Sequence, residues 1–144
     1  MVKKIKSILV INGPNLNLLG KREPGVYGSN TLEEINKSIR KKAEEKGVEI
    51  EFFQSNHEGD IVDKIGSATA DALIINPAAF THTSVAIRDA LAVFSGPKIE
   101  VHLSNIFKRE DFRRNSVTVS ETDGMISGFG GHSYILALNA ILKN

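Results

Sequence analysis

The chain has 144 residues, the size of one ordinary domain, and is 41% apolar and 24% charged, which excludes a disordered chain and supplies enough apolar surface for a core. A formal net charge of +1 calls for neither a nucleic-acid nor an anionic-membrane partner. With no cysteine there is no disulfide, no thiolate nucleophile and no cysteine-based zinc or iron–sulfur site. No apolar run approaches the roughly 18 residues of a spanning helix, and no apolar leader with a cleavage site opens the chain. A cytoplasmic protein, one domain over residues 1–144, is expected.

The elements alternate along the chain. Ser7 to Ile11 is a short apolar run and reads as a buried strand. Residues 12–30 are rich in Asn, Gly and Pro and read as a loop with at most a short helical turn. Thr31 begins a helix, with Glu34 completing a capping box. Leu32, Ile35, Ile39 and Ala43 line one face, and Gly47 ends it. Val48, Ile50 and Phe52 alternate as a second strand. His57 to Thr69 reads as a helix, Ala72 to Ile75 as a third, buried strand, and Thr83 to Ser95 as a helix closed by Gly96-Pro97. Ile99 to Leu103 alternates as a fourth strand. Residues 104–123 are polar and irregular, with one helical turn near Arg109. Gly124 to Ser127 is a weak fifth strand, and Ser133 to Leu142 a final helix. This alternation predicts a three-layer α/β sandwich around a five-stranded parallel sheet, and right-handed crossovers favour the order 2-1-3-4-5.

In open parallel sheets, ligands bind outside the carboxyl ends of the strands. The predicted order makes strands one, three and four neighbours, so Asn15, Asn76, His102 and Ser104 are expected around one pocket. Glu100 and His102 stand two apart on a strand and share a face. A carboxylate there can fix the imidazole tautomer and raise its pKa, so His102 reads either as a proton donor or as an ordinary satisfied histidine. The other histidines, His57, His82 and His132, lack metal-ligand spacing, and no metal is expected. The segment 20–28 carries glycines at 20, 25 and 28, Arg22, and Tyr27, one of two tyrosines. It reads either as a lid over the pocket or as a surface loop. Thr81 to Ser84 opens a helix and suits an N-cap or an anion. The Gly128-Phe-Gly-Gly131 run resembles half a dinucleotide fingerprint, but Ser133 stands in place of the third glycine and no further strand follows.

These segments together resemble one family. NGPNLNLLGKREPGVYG from Asn12 to Gly28, FQSNHEGD from Phe53 to Asp60, NPAAFTHTS from Asn76 to Ser84 with Ile87-Arg-Asp89, and EVHLSNI from Glu100 to Ile106 with Arg109 to Arg113 are similar to the blocks of the type II 3-dehydroquinate dehydratases, in their order and over nearly the whole chain. Ala78 stands where that family commonly has glycine. The resemblance implies a flavodoxin-like fold, typically a dodecamer built as a tetramer of trimers, and a cofactor-free lyase that converts 3-dehydroquinate to 3-dehydroshikimate in the shikimate route to aromatic amino acids or in the quinate route. It implies Tyr27 as the base at the carbon next to the ketone, with Arg22 stabilising the phenolate and the enolate. His102, positioned by Glu100, would protonate the departing hydroxyl. Asn15 would hold a water or the enolate region. Asn76, Ser104 and the backbone at Leu103 would hold the substrate carboxylate, and His82 and Arg113 the ring hydroxyls. Asp89 would reach into a neighbour's site. The alternative is a non-enzymatic flavodoxin-like binding or signalling module, since the fold alone decides no function.

Overall fold

The computed structural model describes residues 3–21, 23–27 and 30–143. Five strands form one sheet: β1 (Ser7–Asn12), β2 (Glu49–Gln54), β3 (Ala72–Asn76), β4 (Lys98–His102) and β5 (Gly124–Ser127). Every neighbouring pair is parallel and the order is 2-1-3-4-5, as the alternation of elements predicts. The helices are α1 (Pro24–Tyr27), α2 (Leu32–Glu45), α3 (Glu58–Ser67), α4 (Val85–Val93) and α5 (His132–Leu142).

Side chains alternate across each strand, and the sheet therefore feeds two cores. Ile8, Val10, Ala72, Ile74, Ile99 and Val101 pack with Ile35 and Ile39 of α2 and Tyr134, Leu138 and Ile141 of α5. Leu9, Ile11, Leu73 and Ile75 pack on the other side with Ile61 and Ile65 of α3 and Ile87 and Leu91 of α4. Each fully buried aliphatic side chain contributes about 1.5–3 kcal/mol. One strand breaks the pattern. On the α3/α4 side, where β1 and β3 bury Leu9, Ile11, Leu73 and Ile75, β4 presents Glu100 and His102. Glu100 pairs in register with Ile75.

The helix ends follow local chemistry. Thr31 Oγ1 accepts from Glu34 N at 3.2 Å and starts α2; Gly47, at φ 69°, lets the chain leave it. The expected helix at Thr83–Ser95 is shorter. Ser84 caps it, its Oγ accepting from Ile87 N at 2.9 Å, while Thr81 and His82 belong to a separate 3-10 turn, Ala78–His82. At the far end, Lys98 Nζ donates to the carbonyls of Leu91 and Phe94 at 2.8 and 2.7 Å, satisfying acceptors that a longer helix would have used. The irregular stretches hold more turns than expected: Leu16–Leu18 besides α1, and Ile106–Lys108, Asp111–Arg114 and Val119–Glu121 in the long connection to β5. Short polar side chains nucleate such turns without any periodic signal, as when Asn105 Oδ1 accepts from Phe107 N at 3.1 Å.

Asp71 ties the start of the sheet together. Its Oδ2 accepts from Lys6 N at 2.8 Å and Ser7 N at 3.2 Å, and its Oδ1 lies 2.8 Å from Lys3 Nζ. The Lys3 ammonium first, then the Lys6 N–H, hold the Asp71 carboxyl down from 3.8 to about 2. A carboxyl whose folded pKa is depressed adds stability above its unfolded pKa and loses it as the pH falls through the folded one. Asp71→Asn is therefore expected to lower the thermal midpoint at neutral pH, with the gap to wild type closing as the pH drops from 3.8 toward about 2. Equal midpoints at neutral pH would show that the tie contributes nothing.

Candidate active site

The parallel order brings the carboxyl ends of β1, β3 and β4 side by side, and their following loops must approach closely to line one cleft. Gly13 makes this possible. Its N donates to Asn76 O at 2.8 Å, and a Cβ there would lie 2.4 Å from the Pro77 carbonyl oxygen. The β1 loop is braced from β2. Gln54 Nε2 donates to Gly13 O at 3.2 Å and Asn56 Oδ1 accepts from Asn15 N at 2.9 Å. Asn15 takes a left-handed conformation, φ 69°, which its residue type tolerates, and it lines the cleft.

Asn76 enters from β3 and is 3% exposed. Its Oδ1 accepts from Ala78 N at 3.1 Å, which turns Nδ2 toward Tyr134 OH at 3.0 Å. That hydroxyl in turn donates to Asn12 Oδ1. Burial pushes the Tyr134 phenol above its ordinary range, against the opposing bond from Asn76, so it stays a neutral donor. With the amide orientation fixed, one Nδ2 proton of Asn76 is committed to Tyr134 and the other is available to a ligand.

The β4 pair stands as its spacing predicts. His102 Nε2 lies 2.9 Å from Glu100 Oε2, and the two residues are 4% and 0% exposed. An ionised carboxylate can only accept, so Nε2 carries the proton and Nδ1 is left to the cleft. Ser104 and Leu103 follow on the same strand end and line the cleft with His102. The Leu103 carbonyl accepts from Gly130 N at 2.9 Å.

Cationic groups close the far wall. Arg113 lines the cleft, with Nε 3.1 Å from Glu110 Oε1 and its guanidinium 4.9 Å from the Phe112 ring. The backbone N–H of Glu110 first, then Arg113, hold the Glu110 carboxyl below its usual range. His82 Nδ1 is 2.7 Å from Asn115 O; a carbonyl only accepts, so His82 is protonated at Nδ1. The structure adds a group that the sequence reading left without a role: Arg109 lines the cleft, and its Nη1 donates to Ser104 Oγ at 3.4 Å. Its signal was present, an arginine four residues before Arg113, yet spacing in irregular chain does not tell which way a side chain turns.

Of the expected residues, Asp89 lies apart from this cleft, and two others fall outside what the structure describes. Asp89 is exposed on α4, between Val85 and Val93, which are 59% and 82% exposed. Arg22 lies outside the described residues. Tyr27 ends α1, and its side chain lies outside the described ones. Val26, beside it, lines a hollow with Ser104, Arg109 and Gly130, so the α1 turn stands next to the cleft. A larger cavity, about 750 Å³, opens at the opposite end of the sheet among Ile65, Val93, Phe94 and Ile141. Its lining carries the Lys3–Asp71 ion pair at the surface, whereas the smaller cleft is the one lined by His102 with Glu100 buried behind it. Together, the groups there can bind an anion through guanidinium, amide and hydroxyl donors and move a proton at His102.

Comparison with known proteins agrees with this geometry. A family model described as "Dehydroquinase class II" matches residues 6–142. The 3-dehydroquinate dehydratase of Francisella philomiragia is 58% identical over 131 residues, covering 91% of this chain and 90% of that protein. That of Acaryochloris marina is 58% identical over 140 residues, covering 96% and 94%. The crystal structure of the type II dehydroquinase from Butyrivibrio crossotus superposes with a TM-score of 0.93 at 49% identity, covering 95% and 97%.

Ala78 takes φ 54°, a left-handed conformation that glycine adopts without strain. A left-handed conformation costs an L-residue about 1–2 kcal/mol, and a glycine there gives back about 0.4–1 kcal/mol through unfolded-chain entropy. Ala78→Gly is expected to stabilise the fold by about 0.5 kcal/mol on that difference, read as a raised denaturation midpoint. A lower midpoint would show that the methyl group's packing on the core outweighs the strain.

Proposed function

The chain belongs to the class II dehydroquinase family, it dehydrates 3-dehydroquinate to 3-dehydroshikimate, and we propose that it does so through an enolate, without an imine. The observation that carries the mechanism is the buried Glu100–His102 pair, 2.9 Å apart at the carboxyl end of β4. A general acid must be held in a fixed orientation, and the bond from Nε2 to Glu100 orients the His102 ring and leaves Nδ1 for proton transfer.

In the proposed sequence, Tyr27 as phenolate removes a proton from the carbon next to the ketone. The electrons move into the enolate, which Arg22 stabilises with the phenolate. In this sequence His102 enters as the imidazolium, its Nε2–H held by Glu100, and gives its Nδ1 proton to the hydroxyl as the carbon–oxygen bond breaks, and water leaves. The proton gained by Tyr27 returns to His102 before the next turn. An ordinary tyrosine titrates near pH 10, so half ionisation at neutral pH needs roughly 4 kcal/mol. A close arginine in a site without water supplies much of that, which is the role proposed for closure of the segment 20–28 as a lid. The position of Val26 beside Ser104 and Arg109 supports this reading. Asn76, Ser104 and the Leu103 backbone hold the carboxylate, His82 and Arg113 the ring hydroxyls, and Asn15 a water or the enolate region. Their shared cleft supports these assignments.

Asp89 is assigned to a neighbouring subunit's site in a dodecamer built as a tetramer of trimers. Its exposure between two exposed valines supports a buried place in an assembly. Among the described residues no helix is long and apolar enough to cross a membrane, and a cytoplasmic place accords with a chain without cysteine. The non-enzymatic module is not favoured: the end of β1, Asn12 to Asn15, carries no carboxylate for a phospho-acceptor.

The product is a conjugated enone and the substrate is not, so turnover raises ultraviolet absorbance. The expected result is a rise that survives borohydride treatment, with Tyr27→Phe and His102→Ala each lowering kcat about 10²–10⁴-fold. A rise abolished by borohydride would replace the enolate route with an imine. Near wild-type kcat in either variant would remove that residue's role. Light scattering is expected to give a twelve-subunit mass; a fully active monomer would end the shared-site assignment of Asp89.

A further inference from the structure

We infer that Ser116 and Thr118 are positioning residues for the reaction, holding the Glu100 carboxylate oriented so that it fixes His102; the inference rests on the role proposed above for that pair. Glu100 stands in register with the fully buried Ile75 of β3, and it is itself 0% exposed. A carboxylate in such a place remains charged only if donors replace the water it has lost. His102 supplies one. The other two are hydroxyls from the long connection before β5. Thr118, itself 0% exposed, donates to Glu100 Oε1. Ser116 Oγ lies 3.4 Å from Oε1 and 3.1 Å from Oε2, and 3.1 Å from Thr118 Oγ1.

The direction of these bonds is set by the protein. Ser116 Oγ accepts from Val119 N at 3.0 Å, which leaves its single proton for the carboxylate. The backbone of the same segment is tied elsewhere: Val117 N donates to Thr81 O at 2.8 Å, and Asn115 O accepts from His82. Residues 115–118 thus form a strap. Its even side chains hold the carboxylate behind His102, and its odd residues hold the turn that carries His82. With Glu100 fully occupied, Nε2–H of His102 has one partner and Nδ1 is the atom that exchanges protons with substrate.

The decisive comparison uses the full-length enzyme with Thr118→Val, which keeps the shape and removes the hydroxyl, Thr118→Ser, which restores it, and Glu100→Gln. Loss of an outer hydrogen bond of this kind typically costs 10–100-fold. Thr118→Val is expected to lower kcat by about that factor while KM stays within about twofold, and Thr118→Ser is expected to recover most of the loss. Ser116→Ala, at a half-buried site, gives a second reading by the same split should Thr118→Val fail to fold. Wild-type kcat in folded Thr118→Val or Ser116→Ala, with Glu100→Gln impaired, would overturn the inference and leave the role of the pair intact. A loss that Thr118→Ser does not recover, or one shared equally by kcat and KM, would also overturn it. Wild-type kcat in Glu100→Gln would instead remove the role of the pair itself.

Discussion

A single buried carboxylate governs much of this molecule. Transferring an ionised group from water into an apolar interior is unfavourable by several kcal/mol unless hydrogen-bond donors surround it. Glu100 sits on the sheet face that β1 and β3 fill with Leu9, Ile11, Leu73 and Ile75, with no solvent exposure. The fold answers with an imidazole and two hydroxyls. The long connection between β4 and β5 is therefore a structural part, although it has little regular structure. Its 3-10 turns place Ser116 and Thr118 under the carboxylate and return the chain to Thr81 and His82.

The opposite core reaches the same site by another path. Tyr134 belongs to α5 and packs with the α2-side cluster, yet its hydroxyl ends between Asn12 and Asn76 at the tips of β1 and β3. One phenol thus sets the orientation of an amide in the cleft from the far side of the sheet. The contact of Gly13 with the Pro77 carbonyl draws the two loops together from the other direction. Site geometry in this protein is a property of the packed layers on both faces, and it does not reside in the loops alone.

The sheet order and the strand positions were legible because aliphatic periodicity is a physical necessity of burial on two faces. The Glu100–His102 pair was legible for a similar reason, since residues two apart on a strand must point the same way. Asn76 and Ser104 followed from the position of strand ends. The parts that escaped depend on contacts distant in sequence. Thr118 lies in a stretch without periodicity, and its partner is 18 residues away. Tyr134 meets Asn76 across 58 residues, and nothing near either position announces the other. The extent of α4 was overestimated because a lysine beyond the helix, Lys98, takes over the last carbonyls. The φ of Ala78 could not be read from alanine, which carries no sign of the conformation it is forced to adopt.

The cleft draws Arg109, Arg113, His82 and His102 to one mouth, in a chain whose formal net charge is only +1. Glu110 offsets part of that charge from the side. The molecule as a whole therefore exerts little long-range pull, while two guanidiniums, Arg109 and Arg113, stand on the wall of the cleft itself. Their charge acts on an approaching anion within about a Debye length, roughly 8 Å at physiological ionic strength. Attraction of this kind is a local event, screened by salt and largely indifferent to the charge on the rest of the surface.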